Sequence, residues 1–195
     1  DVDSFKLNEE KRRKSREVLN LNGKIVLGHI GRYNYQKNFP FLIDFVEELS
    51  KRNTDYVLLQ IGDGKKFEEL QCKIKEKSLE KNFISLGVRN DITDLMQAMD
   101  IFILPSLFEG LPVTVVEAQA SGLPCLLSDR VTEDVNLTRS IDYLPIDQGI
   151  NIWVNKVLNM SKERELDAPD KVRKAGYDIS YTADMIQEYY LNLIN

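Results

Sequence analysis

The chain has 195 residues, 43% of them hydrophobic, and this length and composition predict one domain with a sizeable buried core rather than two small ones. Its 26 Lys and Arg residues and 31 Asp and Glu residues give a formal net charge of -5, which argues against nucleic acid as a partner. The apolar runs are short and are broken by Gly, Asp and Pro, so the sequence shows neither a membrane span nor a signal peptide and predicts a soluble chain.

The cysteines and the first residues indicate the setting of the chain. Cys72 and Cys125 lack the spacing of a disulfide framework, so we interpret them as free thiols in the core of a protein from a reducing compartment. The sequence opens with "DVDSF" and starts at Asp1 rather than at Met, which predicts a fragment of a longer protein.

Predicted strands and helices alternate along the chain. Short apolar runs predict strands at 24–30, 56–61, 82–86, 101–105 and 123–127, with a weaker one at 141–146. Amphipathic segments predict helices at 8–19, 39–52, 66–77, 92–99, 112–121, 149–165, 168–176 and 181–194. The alternation predicts an α/β fold, a Rossmann-like doubly wound parallel sheet whose ligands lie beyond the carboxyl ends of the strands.

Two polar features have a plain structural interpretation. The basic run "KRRK" at 11–14 shares its helix with Glu9, Glu10 and Glu17, which favours an exposed charged face over a lipid or phosphate patch. His29 falls in the first strand, where a core residue with satisfied hydrogen bonds is favoured over a catalyst.

The loop after the first strand, "GRYNYQKN", carries two cations. Gly31 frees the turn, and Arg32 and Lys37 can converge on a diphosphate, although ordinary surface charge is the alternative. Neither Gly-x-Gly-x-x-Gly nor Gly-Lys-Ser/Thr follows this strand, which argues against a dinucleotide site and a P-loop. The later turns, "GDG" from Gly62 and "GVRND" at 87–91, fit either close approach to a ligand or a simple turn.

The segment "FEGLPVTVVEAQASGLP" combines a helix start with two acids. Pro112 is expected at the first helical position of 112–121 and Leu111 at the N-cap, where it offers no side-chain acceptor. The free N–H groups of Val113 and Thr114 can then receive an anion.

Glu109 precedes these donors, where its carboxylate can accept from sugar hydroxyls. Glu117 lies among small and apolar residues and needs a partner. The alternative makes Glu109 a favourable anion near a helix N-terminus and Glu117 a surface residue.

Together, these loops resemble the carboxyl-terminal donor-binding domain of retaining glycosyltransferases of family four, which is one half of a GT-B fold. The resemblance rests on "GRYNYQKN", "IGDG", "FISLG" and "DIFILPSLFEGLPVTVVEAQASGLP", and it covers nearly the whole chain. It implies a single donor domain over 1–195, with C-terminal helices from about 149, and an N-terminal acceptor domain that is absent from this chain.

The resemblance also implies roles for individual residues. Arg32 and Lys37 would hold the donor diphosphate and help it leave, Glu109 would orient the transferred sugar, and Glu117 would accept from the ribose. Backbone at Gly110, Leu111, Val113 and Thr114 would line sugar and phosphate, Gly31 and Gly62 would lie against the donor, and Val88 and Arg89 would border the base. After the fifth strand, "SDRVTEDVNLT" at 128–138 replaces the Gly-Gly and Pro-Glu turn of many members, so no role is carried over to Glu133.

The resemblance implies transfer of a hexosyl unit from a UDP-sugar or GDP-sugar to a saccharide or lipid-linked acceptor, with retention and without a metal. Cell-surface polysaccharide or glycoconjugate biosynthesis is expected, in the cytoplasm or at the inner face of a membrane, and the isolated domain is expected to be inactive. The alternatives are a nucleotide-sugar epimerase-like enzyme and a noncatalytic nucleotide-sugar binding module.

Overall fold

The computed structural model describes residues 1–194 and contains a six-stranded sheet in the order β3-β2-β1-β4-β5-β6. The strands are β1 Ile25–Ile30, β2 Tyr56–Ile61, β3 Phe83–Ser85, β4 Ile101–Leu104, β5 Cys125–Ser128 and β6 Ile141–Leu144. Every neighbouring pair is parallel, which confirms the predicted doubly wound fold. The order reverses at β1, which pairs with both β2 and β4, so the carboxyl ends of β1 and β4 flank the crevice where such sheets bind ligands.

Helices cover both faces of the sheet. They are α1 Glu9–Val18, α2 Phe39–Arg52, α3 Phe67–Glu76, α4 Ile92–Ala98, α5 Val113–Ala120, α6 Ile150–Asn159, α7 Ala168–Val172 and α8 Ile179–Ile194. Successive strand residues such as Val26 and Leu27 face opposite core clusters. Leu27 packs in the cluster of α2, α3 and α6, whereas Val26 packs in that of α4, α5 and α7. Burying one large apolar side chain stabilises the folded state by about 1.5 to 3 kcal/mol. The two core clusters therefore fix the strands and helices from which the loops of the crevice extend.

Three predicted helix boundaries are wrong. Pro112 has an extended ψ of 104°, so it is the N-cap of α5 rather than its first helical residue. The predicted helix 149–165 ends at Asn159, because Met160 turns to a ψ of 142° and the chain then crosses toward α4 and α5. The predicted helix 168–176 ends at Val172 and continues as a wide turn in which Gly176 has a φ of 87°.

The basic run on α1 is only partly an exposed face, which corrects the prediction for 11–14. Lys11 and Arg13 are exposed, but Arg12 donates to the carbonyl oxygens of Gln97 and Met99 at 2.7 and 2.8 Å and pairs with Asp100. The guanidinium therefore satisfies carbonyl groups at the end of α4, which a helix terminus leaves without internal partners.

The two cysteines differ. Both are free, Cys125 is buried and burial raises the pKa of its thiol, but Cys72 is exposed, contrary to the predicted core position. Cys72 lies on the outer side of α3, whose Leu70 and Ile74 face the core. Over residues 1–194, no helix is long and apolar enough to cross a membrane.

Candidate functional site

The loops at the carboxyl ends of β1, β2 and β3 form one hydrogen-bonded rim. The N–H of Gly31 donates to the carbonyl of Ile61 at 2.9 Å, and the N–H of Gly62 donates to the carbonyl of Gly87 at 2.8 Å. Gly62 has a φ of 130°, and a Cβ there would lie 2.2 Å from the carbonyl oxygen of Gly31. A side chain at Gly62 is therefore excluded by the protein's own backbone, which accounts for the glycine without a ligand.

The rim continues into the loop after β4, across the point where the strand order reverses between β1 and β4, which we call the switch point. The N–H of Leu107 donates to the carbonyl of Gln36 at 2.8 Å, and the Asn38 amide donates to the carbonyl of Pro105 at 3.2 Å. These bonds bring the loop of Arg32 and Lys37 beside the loop of Glu109.

Glu109 is the centre of a cluster built from both loops. Its Oε1 accepts from Lys37 Nζ at 2.6 Å and from Ser106 Oγ at 2.8 Å, and its Oε2 accepts from Gln36 Nε2 at 2.9 Å. The side chains of Lys37 and Glu109 are only 13% and 8% exposed. Charge-assisted bonds of this kind are among the stronger ones in proteins, so the cluster holds the carboxylate in one orientation.

The cluster relates two predicted residues in an unpredicted way. The resemblance assigns Lys37 to a diphosphate and Glu109 to a sugar, whereas in the structure the two side chains pair with each other. The sequence reasoning missed Gln36 and Ser106, although their proximity to Lys37 and Glu109 in "QKN" and "PSLFEG" was an available signal.

A cleft of about 480 Å³ opens where β1, β2 and β3 end. It is lined by Ile30, Gly31, Arg32, Ile61, Gly62, Asp63, Gly64, Val88, Arg89 and Ile92. The predicted diphosphate ligand Arg32 thus shares a cleft with the predicted base neighbours Val88 and Arg89. Within residues 1–194 Arg32 is exposed and has no ion-pair partner, whereas Arg89 pairs with Asp91 at 2.6 Å, which raises the pKa of Arg89.

The start of α5 has N–H donors without a side-chain cap. The first helical bond to the N-cap is made by Val115, whose N–H donates to the carbonyl of Pro112 at 3.0 Å. The N–H groups of Val113 and Thr114 come before it, and no side chain caps the helix N-terminus in the described chain. Gly110 and Leu111, which precede the helix, are exposed. The prediction that the N–H groups of Val113 and Thr114 are free is confirmed, and the N-cap is Pro112, one residue after the expected Leu111.

Glu117 lies in a different cavity from Arg32. The cavity measures about 170 Å³ and is lined by Asp1, Val2, Phe5, Val113, Val116, Glu117, Ala120, Val172 and Tyr177. The Glu117 side chain is half-buried and has no hydrogen-bond partner in the described part of the chain, and burial raises the pKa of its carboxyl. Glu117 is therefore not an ordinary surface residue, and its carboxylate has room for a ligand donor.

His29 and the loop at 128–138 complete the surroundings. His29 is buried against Phe39, with ring centroids 5.0 Å apart, so its core position is confirmed. The prediction that its hydrogen bonds are satisfied is wrong, because neither ring nitrogen has a partner among residues 1–194. Burial lowers the pKa of His29 to about 3 and keeps the ring neutral.

In the loop at 128–138, Glu133 is exposed, and the carbonyl of Arg130 accepts from the N–H of Glu109 at 3.4 Å. No cluster of His, Cys, Asp and Glu suited to a metal ion occurs within residues 1–194.

A family model and two curated relatives match the chain. The model described as "Glycosyl transferases group 1" matches residues 11–134. EpsF of Bacillus subtilis (strain 168) is 31% identical over 172 residues, which are 86% of this chain and 44% of EpsF. The UDP-Gal:alpha-D-GlcNAc-diphosphoundecaprenol alpha-1,3-galactosyltransferase of Escherichia coli is 28% identical over 173 residues, which are 85% of this chain and 45% of that enzyme. The chain therefore spans about half the length of these relatives.

Solved structures share the fold. HepE from Anabaena, crystallised with UDP and glucose, aligns with a TM-score of 0.80 at 22% identity over 97% of this chain and 54% of HepE. WaaG, a glycosyltransferase involved in lipopolysaccharide biosynthesis, aligns with a TM-score of 0.71 at 17% identity over 90% of this chain and 49% of WaaG. The chain thus has the fold of one half of a GT-B glycosyltransferase.

Proposed function

The chain belongs to the group 1 glycosyltransferases, and on that premise we propose that it is the donor-binding half of a retaining GT-B enzyme. The enzyme transfers a hexosyl unit from a nucleotide diphosphate sugar to a saccharide or lipid-linked acceptor. The observation that carries the proposal is the joining of the Lys37 and Glu109 loops at the switch point, beside the free N–H groups of α5.

The diphosphate is held by cations and backbone donors. Arg32 is exposed in its cleft and has no protein carboxylate to neutralise it within residues 1–194, and Lys37 has rotatable donors that can turn from Glu109 to a phosphate. The N–H groups of Val113 and Thr114 add the positive end of a helix. These groups stabilise the charge that develops on the leaving diphosphate, so donor binding and departure proceed without a metal.

The two acids serve different parts of the donor. Glu109 is held beside Lys37 and accepts sugar hydroxyls, whereas the unpartnered carboxylate of Glu117 accepts from the ribose. The donor is a UDP-sugar, because the Escherichia coli relative is named for UDP-Gal and HepE was crystallised with UDP. The curated relatives also include a capsular polysaccharide biosynthesis glycosyltransferase, CapH of Staphylococcus aureus, which supports a role in cell-surface polysaccharide or glycoconjugate biosynthesis.

The acceptor is bound by the other half of the full-length protein, which works in the cytoplasm or against the inner face of a membrane.

The exposed apolar side chains of α8 support a contact with that other half. Among the described residues of α8, eight large apolar side chains are between 51% and 68% exposed, and five of them lie on one face: Ile179, Ile186, Tyr189, Tyr190 and Leu193. The exposed charges of this helix are Asp184 and Glu188, which suits a protein surface better than an anionic membrane. We assign this face to the half that the relatives contain and this chain does not cover.

Titration calorimetry with UDP tests the donor site. We expect binding that survives a chelator, weakens with salt, and falls at least about tenfold in Arg32→Ala and Lys37→Ala, because a charge-assisted bond contributes about 1.5 to 3 kcal/mol. Arg13→Ala, which removes an exposed guanidinium from α1, is the matched control and should bind as wild type. Strict dependence on magnesium or manganese would contradict the metal-free site, and failure to bind UDP would contradict the donor assignment.

A transfer assay on the full-length protein separates the proposal from its alternatives. We expect sugar to reach an acceptor with the anomeric configuration retained. Inversion at a ring carbon of the free donor would indicate an epimerase-like enzyme, and binding without any turnover would indicate a sensor module.

A further inference from the structure

The carboxylate of Glu109 has one acceptor position to spare. A carboxylate offers about four lone-pair positions on its two oxygens. Oε1 uses both of its positions on Lys37 and Ser106, while Oε2 uses one on Gln36. One position on Oε2 therefore remains for a ligand hydroxyl while Lys37 stays in place.

Gln36 is itself fixed at several points. Its Nε2 donates to Glu109 Oε2 at 2.9 Å and to the carbonyl of Phe108 at 3.0 Å, which uses both amide protons. Its own backbone carbonyl accepts the N–H of Leu107 at 2.8 Å. Two contacts of the side-chain amide and one of the backbone thus tie Gln36 to the loop of Glu109, and the two amide contacts fix the donor that Oε2 faces.

Ser106 fixes the other oxygen. Its side chain is fully buried, its hydroxyl donates to Oε1 at 2.8 Å, and its carbonyl accepts from the Ser128 hydroxyl. Ser106 therefore ties Glu109 to the end of β5 as well as to its own loop.

Lys37 differs from these two donors because it is charged and its role in the proposed function is to face the diphosphate. When Lys37 turns to the phosphate, Glu109 keeps only the neutral donors Gln36 and Ser106. The lone pair that Lys37 leaves on Oε1 becomes a second position for a sugar hydroxyl.

We propose that Gln36 and Ser106 are positioning residues that hold Glu109 in the orientation that accepts hydroxyls of the donor sugar once Lys37 has moved to the diphosphate. This inference rests on the proposed function. It requires that Gln36 acts on the sugar part of the donor, through Glu109, and not on the nucleotide part.

The test compares UDP with UDP-glucose by calorimetry on wild type and Gln36→Met. Met keeps the length of the side chain and removes its donor, and Gln187→Met on exposed α8 is the matched control. We expect the affinity of Gln36→Met for UDP to stay within about twofold of wild type. Its affinity for UDP-glucose should fall about five- to tenfold, because Gln36 acts through Glu109 and conveys only part of the tenfold or larger effect of a direct hydrogen bond to a charged group. Ser106→Ala should show the same selective loss, with thermal unfolding reporting whether its buried site stays folded.

A double-mutant cycle shows whether Gln36 acts through Glu109. In a Glu109→Ala background, Gln36→Met should have no further effect on UDP-glucose, because its partner carboxylate is gone. An equal loss of UDP and UDP-glucose in Gln36→Met, or an additive effect in the double mutant, would overturn the positioning role.

The remaining outcomes separate the inference from the proposed function. Wild-type binding of UDP together with an unchanged preference for UDP-glucose in Gln36→Met overturns the inference and leaves the donor site standing. Failure of the wild type to bind either ligand refutes the proposed function, and the inference with it.

Discussion

Replacing Glu117 by Gln should stabilise the ligand-free protein while it weakens the binding of UDP. Glu117 is half-buried beside Phe5 and Tyr177, has no hydrogen-bond partner within residues 1–194, and has a pKa raised mainly by burial. The folded state therefore binds the carboxyl proton more tightly than the unfolded state does. Stability is lost as the pH rises from the unfolded pKa through the folded pKa, and at neutral pH the carboxylate is a net cost.

The two effects have different sizes. Removing the charge should raise the free energy of unfolding by about 0.5 to 1 kcal/mol, because a half-buried carboxylate keeps part of its hydration. For a chain of this size that corresponds to a rise in Tm of about 1 to 4 °C. Gln keeps a neutral acceptor for the ribose hydroxyl, so Glu117→Gln loses only the charge assistance, about 1 kcal/mol, and its affinity for UDP should fall roughly fivefold. Glu117→Ala loses the whole bond, about 1.5 to 3 kcal/mol, and its affinity should fall roughly ten- to a hundredfold.

Thermal unfolding at several pH values and calorimetry with UDP measure the two effects on the same samples. The stabilisation by Glu117→Gln should be present at pH 7 and vanish below about pH 4, where the carboxyl is protonated in both states. Glu109→Ala is the comparison, since it should leave UDP binding nearly unchanged and weaken UDP-glucose. If Glu117→Gln binds UDP as tightly as wild type, the ribose assignment is wrong, and a destabilised variant at pH 7 would show that the carboxylate has a protein partner.

Three other expectations follow from the fold. Asp100→Asn should lower the free energy of unfolding in urea by about 3 kcal/mol, because Asp100 pairs with Arg12 and Arg16 and accepts the N–H of Val26 at 2.7 Å; a loss below about 0.5 kcal/mol would contradict this. Gly62→Ala should cost about 2 kcal/mol or more, because its Cβ would lie 2.2 Å from the Gly31 carbonyl oxygen, and a wild-type Tm would show that the loop can adjust. The chain alone should transfer little sugar compared with the full-length protein, since positioning the acceptor is worth roughly 7 to 11 kcal/mol, and comparable rates would refute the two-half proposal.

The fold could be predicted because its signals are local. Each strand is a short apolar run that must be buried on both faces, and Val26 and Leu27 show why, since neighbours along β1 enter different core clusters. The boundaries were less predictable where a long-range contact decides them. The segment after Asn159 leaves the helix, and the Arg164 guanidinium donates to the Ser121 carbonyl at 2.6 Å, a contact that no local pattern announces.

The site was predictable by residue type but not by partner. The sequence identifies both Lys37 and Glu109, yet their contact spans 72 positions of sequence and depends on how two loops meet where the strand order reverses. The same holds for Arg12, whose charge suggested an exposed helix face but whose position lets it satisfy carbonyl groups at the end of α4. Spacing along a helix shows which side chains share a face, and it leaves open what the neighbouring element offers them.

Glu109 and Glu117 differ in how many hydrogen bonds their carboxylates already have before a ligand binds. Glu109 already has Lys37, Ser106 and Gln36, so a sugar hydroxyl adds to a satisfied carboxylate and displaces at most one existing bond. Glu117 has no such partners within residues 1–194, so a ribose hydroxyl relieves a desolvated charge as well as forming a bond. We therefore expect the nucleotide to supply most of the binding free energy of the donor. The prearranged Glu109 cluster then contributes orientation of the sugar, which is the contribution that matters for the transfer step itself.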